Sequence, residues 1–444
     1  MDNCRKMAVE IVGKVLKDNA YSNILINYEL KNSDLMDKDK ALLTALVYGT
    51  IKYKLTIDYI IGGFVKKGLV SIDFNILNIL RVSIFQLKYL DKVPDYAVVN
   101  EAVNLTKTCK KKMQGNFVNA ILRNYLRKPD FYLEKLENYD LIKRLSIINS
   151  FEEWMIELLY EQYTDKVEEI LIGLNKIPDL MVRVNLLKDN VENIKKELLE
   201  QGFNIRDGII TKSAIGILNG GSIEENPLYK NGYITVQDES AMLVSEAMDV
   251  RPGMQVLDLC SAPGGKATHL AELMDNTGRI LACDLNKNKL KLVKRNQDRL
   301  GISNIETREL DARIKQEDFI EKWDRVLLDV PCSGLGIIGK KPEIKWNKSK
   351  SQLKEIIQIQ RDILVNAAYY VKVNGILLYS TCTINKCENE DNIDWFTENN
   401  SNFQILSINF GNTENILYND KGSITILPNN NMDGFFMAKL LRKK

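Results

Sequence analysis

Two cysteines of this 444-residue chain occupy positions where an α/β enzyme can carry a nucleophile. Cys382 follows the apolar run GILLYST, and Cys332 follows VLLDVP. Both runs read as buried β-strands, so each thiol is expected at the carboxyl end of a strand, and in a parallel sheet these ends face one crevice. A thiolate there suits covalent catalysis. Cys260 and Cys283 also lie near strand ends, so position alone does not decide which thiol reacts.

Histidine usage narrows the chemistry further. The chain has one histidine, His269, which nearly excludes Ser-His-Asp and Cys-His catalysis unless His269 itself serves. The seven cysteines contain no CxxC pair, which argues against a disulfide framework and against a zinc site. We therefore expect free thiols, no metal ion, and chemistry based on cysteine, carboxylate or lysine. The cysteines assigned to packing or loops are Cys4, Cys109, Cys260, Cys283 and Cys387.

A candidate ligand loop lies in VLDLCSAPGGKATHLAEL, residues 256–273. An apolar strand is predicted to end at Asp258, and a helix is predicted to begin near Lys266 after a loop of small residues. The loop is neither GxGxxG nor a P-loop. Gly264 and Gly265 would let the backbone approach a ligand closely.

Two acids follow the next strands. RILACDL ends in Asp284, at the usual place for an acid that binds a ribose diol, and RELDAR places Asp311 where an adenine ring would lie. Since no phosphate-binding arginine is evident, S-adenosylmethionine fits better than a dinucleotide. Lys266 is expected to contact the methionine carboxylate or the substrate. Asp329 is expected to hydrogen-bond the substrate base or the cofactor.

The elements that position these residues belong to a multidomain chain, because 444 residues exceed what one core usually organises. The composition is that of an ordinary globular protein, with 45% hydrophobic and 27% charged residues. No apolar run is long enough to span a membrane. The first residues lack the features of a signal peptide. We expect a cytoplasmic protein.

Residues 1–138 are predicted to form an all-helical bundle, because apolar residues recur at helical spacing in segments such as KALLTALVYGTIKY. Asp37 and Asp73 are plausible N-caps. Residues 1–140 hold 22 Lys/Arg and 16 Asp/Glu, so their net charge is +6 (22 − 16). This excess is compatible with a nucleic-acid partner. The basic segment of this region begins with the lysine run 110–112.

Residues 139–232 are predicted to form a small α+β module. Its first strand, 181–187, precedes an amphipathic helix, and Arg183 and Asn185 alternate with apolar residues as on a half-exposed strand. Residues 233–444 alternate short apolar strands with helices, which predicts an α/β domain with a mostly parallel sheet covered on both faces.

Three motifs resemble a known family. DLCSAPGGK, LDVPCSGLG and YSTCTINKCENE, in this order and spacing, are similar to the RsmB/Sun family of ribosomal RNA 5-methylcytosine methyltransferases. VPDYAVVNEAVNLTK, followed by a basic segment and GNFVNAILRN, resembles the NusB antitermination fold, a helical RNA-binding domain. RsmB-type enzymes also carry a NusB-like N-terminal domain, so the resemblance covers nearly the whole chain. It implies a NusB-like bundle, a small α+β RNA-binding module and a Rossmann-like methyltransferase domain.

The resemblance also implies roles for individual residues. Cys382 would be the nucleophile, and Cys332 would assist release of the product. The implied cofactor contacts are Cys260, Ser261, Ala262, Pro263, Gly264, Gly265, Lys266, Asp284, Asp311 and Asp329. Lys289 departs from the pattern, because relatives often have an arginine there.

We therefore expect methyl transfer from S-adenosylmethionine to carbon 5 of a cytosine in 16S ribosomal RNA, through a covalent adduct between Cys382 and carbon 6. The expected partner is 16S ribosomal RNA or an early small-subunit assembly intermediate, and the expected state is a monomer. Alternatives are a cytosine of transfer RNA, or an antitermination-like RNA-binding factor with an inactive catalytic domain. DVPCSG argues against methylation of an exocyclic nitrogen. DNA cytosine methyltransferases use a Pro-Cys thiol, so the residues alone leave Cys332 open as nucleophile.

Overall fold

The computed structural model describes residues 3–108, 114–220 and 222–443. Cys109 and the lysine run 110–112 lie outside these residues. The chain divides into two compact units: Met1–Asn175 with Ile338–Lys348, and Lys176–Ile337 with Ser349–Lys444. Across the described ranges, no helix has both the length and the hydropathy required to traverse a bilayer.

The first unit is helical, as predicted. Its helices are α1 (Asn3–Asp18), α2 (Ser22–Asn32), α3 (Asp37–Lys52), α4 (Lys54–Gly62), α5 (Phe74–Tyr89), α6 (Asp95–Thr108), α7 (Gly115–Arg127), α8 (Leu141–Asn149), α9 (Glu153–Tyr163), α10 (Val167–Asn175) and the short α16 (Ile344–Asn347). Buried side chains such as Ile11, Leu46 and Leu80 form one core. Asp73 caps α5 by accepting two backbone N–H bonds. The prediction for Asp37 is wrong by one residue, because Asp37 begins α3 and Met36 takes the cap position.

The second unit begins with a four-stranded antiparallel sheet in the order β2-β3-β1-β4. Its strands are β1 (Leu180–Val184), β2 (Asn204–Asp207), β3 (Ala214–Asn219) and β4 (Ile234–Val236), with helices α11 (Val191–Glu200) and α12 (Pro227–Lys230). A small α+β module is thus present. The boundaries at residues 138 and 232 stay predictions, and the helical residues 141–175 fall within the first compact unit.

The half-exposed strand predicted for this module is wrong at both polar positions. Arg183 and Asn185 are fully buried. Arg183 pairs with Glu272, and the Asn185 side-chain amide donates to the carbonyl oxygens of Gly232 and Leu300. Alternation predicts which side of the strand a residue faces, but here that side packs against another part of the unit.

The remaining sheet has the order β11-β12-β13-β9-β8-β5-β6-β7, with β10 paired to β13. Its strands are β5 (Gln255–Asp258), β6 (Arg279–Asp284), β7 (Ile305–Glu309), β8 (Trp323–Asp329), β9 (Val371–Thr381), β10 (Phe403–Leu406), β11 (Ile416–Tyr418), β12 (Ile424–Ile426) and β13 (Phe435–Arg442). Strands β7, β6, β5, β8 and β9 are mutually parallel, and the others pair antiparallel. The mostly parallel sheet is confirmed.

Helices cover both faces of this sheet. They are α13 (Glu239–Ala247), α14 (Gly265–Leu273), α15 (Lys287–Leu300), α17 (Lys350–Tyr370) and α18 (Glu390–Asn399). Val256 of β5 belongs to a core with Leu270 of α14, whereas the next residue, Leu257, belongs to a core with Leu364 of α17. This alternation is expected of a strand buried on both sides.

Candidate active site

A cavity of about 450 Å³ lies at the carboxyl edge of the parallel strands. Its lining residues are Leu259, Cys260, Ala262, Asp284, Leu285, Lys289, Leu310, Asp311, Ala312, Arg313, Asp329, Pro331, Ile359 and Ile363. The lining thus joins the three acids at the carboxyl ends of β6, β7 and β8 to apolar side chains of α17. Of the predicted cofactor residues, Cys260, Ala262, Asp284, Asp311 and Asp329 line the cavity.

The other predicted cofactor residues lie in the loop after β5 or in the first turn of α14, and they do not line the cavity. They are Ser261, Pro263, Gly264, Gly265 and Lys266. Gly264 has φ +96°, and a Cβ there would lie 3.0 Å from the Val293 side chain of α15. Backbone conformation and contact with α15 therefore both require a glycine at this position.

Asp284 holds the loop from the adjacent strand. Its Oδ2 accepts a hydrogen bond from the Ala262 amide at 3.2 Å, and its Oδ1 accepts one from the Asn286 amide at 2.9 Å. The Ser261 amide donates to the Cys283 carbonyl oxygen at 2.8 Å. The end of β6 therefore shapes the loop and contributes a carboxylate to the cavity wall.

Asp311 is paired with Arg313, a cavity residue that the sequence analysis did not single out. The guanidinium Nη2 lies 2.6 Å from Asp311 Oδ2, and the Arg313 amide donates to Oδ1 at 2.9 Å. These hydrogen bonds lower the pKa of Asp311 below its ordinary value. Asp311 is therefore a fixed, ionised carboxylate.

Lys266 and Asp329 form an ion pair beside the cavity. The Lys266 Nζ lies 2.7 Å from Asp329 Oδ2, and the Ser380 hydroxyl donates to Asp329 Oδ1 at 3.0 Å. The ammonium also lies 5.0 Å from the centre of the Phe435 ring. Both carboxylate oxygens are thus oriented. The expected contact between Lys266 and a methionine carboxylate stays a prediction.

The two cysteines singled out from the sequence meet in space. The sulfur atoms of Cys332 and Cys382 lie 3.2 Å apart, and both residues are partly exposed. The Gly336 amide donates to the Cys382 carbonyl oxygen at 3.0 Å. A Cβ on Gly336 would lie 2.0 Å from the Gly434 carbonyl oxygen, so this close approach needs a glycine.

The surroundings of Cys332 disfavour a thiolate at that position. The hydrogen bond with Cys382 raises the pKa of Cys332 well above its ordinary value, and burial and the nearby Glu388 carboxylate add to the rise. Either sulfur atom can be the hydrogen-bond donor in the contact between them.

Comparison with known proteins gives the family. Residues 245–441 match the model described as 16S rRNA methyltransferase RsmB/F, residues 2–127 match the NusB family, and residues 151–224 match the RsmF/B-like ferredoxin-like domain. The chain is 35% identical to the probable ribosomal RNA small subunit methyltransferase B of Bacillus subtilis, over 99% of this chain and 98% of the relative. The chain belongs to the RsmB family.

Further matches agree with this membership. The probable ribosomal RNA small subunit methyltransferase B of Synechocystis is 32% identical over 99% of both chains. The crystal structure of PH0851 superposes with a TM-score of 0.83 at 29% identity, covering 100% of this chain and 99% of that one. The family resemblance, the NusB-like bundle and the Rossmann-like domain are therefore confirmed, and the small α+β module matches a ferredoxin-like domain.

The other thiols that the structure describes in this RsmB-family chain have environments that disfavour a thiolate. Burial raises the pKa of Cys4 to about 12 and that of Cys387 to about 11. It also raises the pKa of Cys260 and Cys283 well above the ordinary value. Their expected role in packing or loops fits these surroundings.

His269 lies in α14 and does not line the cavity. Burial, together with the charge of Arg183, lowers the pKa of His269 well below its ordinary value. Over the described ranges, no group of three or more His, Cys, Asp or Glu side chains is arranged to hold a metal ion.

Sequence reasoning missed two buried carboxylates beside the site. Asp258 is fully buried at the end of β5, and burial raises its pKa to about 7. Glu388 is fully buried between the two cysteine loops. The sequence could have indicated Glu388, because it lies in the motif YSTCTINKCENE, six residues beyond Cys382.

Proposed function

We propose that this protein transfers a methyl group from S-adenosylmethionine to carbon 5 of a cytosine in 16S ribosomal RNA. Cys382 is the nucleophile, and Cys332 assists release of the product. The observation that carries this proposal is the 3.2 Å contact between the two sulfur atoms at the carboxyl edge of the sheet. Family membership supports the substrate, because relatives are named ribosomal RNA small subunit methyltransferase B.

The reaction needs a thiolate because carbon 5 of cytosine is a weak nucleophile. The Cys382 thiolate adds to carbon 6, and the electron pair of the ring double bond then forms the new bond from carbon 5 to the methyl carbon, while the bond from that carbon to the sulfonium sulfur breaks. Transfer of the proton from carbon 5 to water leaves its electron pair to re-form the ring double bond, breaks the bond between carbon 6 and the cysteine sulfur, and releases Cys382 as a thiolate. Cys332, within hydrogen-bonding distance of Cys382, assists this last step.

The cavity has the side chains that S-adenosylmethionine requires. Asp284 and Asp311 suit the ribose hydroxyls and the adenine edge, while Ile359 and Ile363 provide apolar walls. Leu285 lines the same cavity and is 64% exposed although it is apolar, which suits a side chain that a ligand covers. When bound, this cofactor supplies the methyl group on a positively charged sulfur.

Asp329 is suited to hold the target base. It is the last residue of β8, lines the cavity and lies three residues before Cys332. The bond from Lys266 and the bond from Ser380 fix its orientation, so it can accept a hydrogen bond from the cytosine amino group. The target cytosine must be single-stranded, or flipped out of a duplex, to reach this carboxylate.

Labelled methyl transfer to 16S ribosomal RNA tests this proposal, with the modified atom identified by mass spectrometry of the digested nucleosides against 5-methylcytidine and N4-methylcytidine standards. Transfer RNA is included as the competing substrate. Cys382→Ala is expected to abolish both methylation and any covalent protein–RNA adduct. Cys332→Ala is expected to accumulate an adduct that survives denaturing electrophoresis.

Cys387→Ser is a matched control, because Cys387 is a partly exposed thiol of the same segment. We expect it to methylate like the unaltered protein. An adduct trapped by Cys382→Ala and not by Cys332→Ala would exchange the two roles. Methylation confined to another atom or to transfer RNA would overturn the proposal.

A further inference from the structure

Glu388 accepts hydrogen bonds from the loops of both catalytic cysteines. From the Cys332 side, the Ser333 amide donates to Glu388 Oε2 at 2.8 Å, and the Ser333 hydroxyl donates to Oε1 at 2.5 Å. From the Cys382 side, the Asn385 side-chain amide donates to Oε1 at 3.0 Å. Glu388 is fully buried, so these donors replace the water that a carboxylate otherwise binds.

A second buried residue extends this network to the other side of Cys332. The Gln360 side-chain amide of α17 donates to Glu388 Oε2 at 3.0 Å and to the Pro331 carbonyl oxygen at 3.0 Å. The residues immediately before and after Cys332 are therefore both hydrogen-bonded to the Glu388–Gln360 pair. This arrangement fixes the backbone that carries the Cys332 sulfur.

The two loops also bond directly to each other next to this carboxylate. The hydroxyl groups of Ser333 and Thr383 lie 2.8 Å apart, and each follows a catalytic cysteine by one residue. Ser333 lies 50 residues before Thr383 in the chain, so local structure cannot bring them together. The buried Glu388 carboxylate, which accepts hydrogen bonds from both loops, can hold them together.

We propose that Glu388 is a positioning residue that holds the Cys332 loop against the Cys382 loop, so that Cys332 can assist product release. This inference rests on the proposed function and deepens it. Glu388 does not line the cavity and is not assigned a contact with substrate or cofactor. Its negative charge also favours the protonated form of Cys332.

Glu388→Gln tests the inference, because the side chain keeps its shape while one acceptor oxygen becomes an NH₂ group that faces other donors. We expect multiple turnover to fall by about tenfold to a hundredfold, as displaced catalytic groups commonly cause. The decisive readout is the fate of the adduct. Glu388→Gln is expected to form the protein–RNA adduct and to accumulate it, as Cys332→Ala does, while calorimetric binding of S-adenosylmethionine stays unchanged.

Glu390→Gln is the matched control. Glu390 is a half-buried carboxylate of the same segment, but it accepts hydrogen bonds from Asn419 and Thr425, which belong to neither cysteine loop. It is expected to turn over without accumulating adduct. Ser333→Ala removes the hydroxyl contact and leaves the carboxylate in place, so it decides the question if Glu388→Gln does not fold.

The inference would be overturned if a folded Glu388→Gln protein formed the adduct as slowly as it released the product, because the defect would then not be specific to release. Turnover equal to that of Glu390→Gln would also overturn it, as would an unaltered adduct level in Ser333→Ala when only that variant folds. Failure of Cys332→Ala to trap any adduct would instead contradict the proposed function, which keeps the two failures distinct.

Discussion

Arg183 and Glu272 form a buried ion pair between β1 of the small module and α14 of the methyltransferase domain. Arg183 Nη2 lies 2.8 Å from Glu272 Oε1, and Nε lies 2.9 Å from Oε2. The same guanidinium donates to the Gly265 carbonyl oxygen at 3.0 Å. The small module therefore supports the helix that begins at the proposed cofactor loop.

Arg183→Met is expected to destabilise the second unit by about 3–5 kcal/mol, because it leaves the Glu272 carboxylate buried without its partner. Urea denaturation followed by circular dichroism measures the change. The double variant Arg183→Met with Glu272→Leu is expected to recover most of the loss, since a buried pair can be replaced by apolar side chains. A single variant as stable as the double would contradict this account.

Asp258→Asn is expected to change how stability depends on pH. The folded-state pKa of Asp258 is raised to about 7, so the folded protein holds a proton that the unfolded chain releases above its ordinary pKa of about 4. This contribution to stability is present at low pH and is lost as pH rises toward 7. Thermal melts of the cofactor-free protein are expected to favour Asp258→Asn over the unaltered protein at pH 8, by the order of 2–4 kcal/mol, and to show little difference at pH 4.

The exposed Asp298, paired with Lys294 on α15, offers the control for this experiment. Asp298→Asn is expected to leave the pH dependence unchanged. If Asp258→Asn and the unaltered protein lose stability in parallel between pH 5 and pH 8, a group other than Asp258 causes the pH dependence.

Gly336→Ala is expected to lower the rate of methylation by about a hundredfold, because the added methyl group collides with the Gly434 carbonyl oxygen and lies 2.9 Å from that of Cys382. Cofactor affinity is expected to change little, since Gly336 does not line the cavity. Single-turnover kinetics measure the rate of methylation, and calorimetry measures the cofactor affinity. Gly62→Ala, where a Cβ has no neighbour within 4 Å, is the control. A Gly336→Ala protein with unaltered kinetics would show that the contact has no role in placing Cys382.

Asp284→Ala is expected to weaken binding of S-adenosylmethionine by about tenfold to a hundredfold. The substitution removes the carboxylate that holds the Ala262 amide, together with the proposed ribose contact, and hydrogen bonds to charged groups contribute about 1.5–3 kcal/mol. Isothermal titration calorimetry checks it, with Asp298→Ala as the exposed control. Equal affinities in the two variants would remove Asp284 from the proposed cofactor site.

Local patterns in the chain were enough to predict the fold class and the edge of the sheet where the site lies. Apolar periodicity distinguishes helices from strands, and parallel strands bring their carboxyl ends together. Asp284, Asp311 and Asp329 therefore meet at one cavity as expected. The motifs around Cys332 and Cys382 indicated the family in the same way, because each motif is a short continuous segment.

Contacts between distant segments required the folded chain. Arg183 finds Glu272 89 residues away, which turned a half-exposed strand position into a buried one. Ser333 finds Glu388 55 residues away, and the two sulfur atoms are separated by 50 residues along the chain. The raised pKa of Cys332 depends on such neighbours, since hydrogen bonds, burial and charge act through space. Periodicity along the chain carries no information about such pairs, so the roles of Glu388 and Arg183 became visible only with three-dimensional packing.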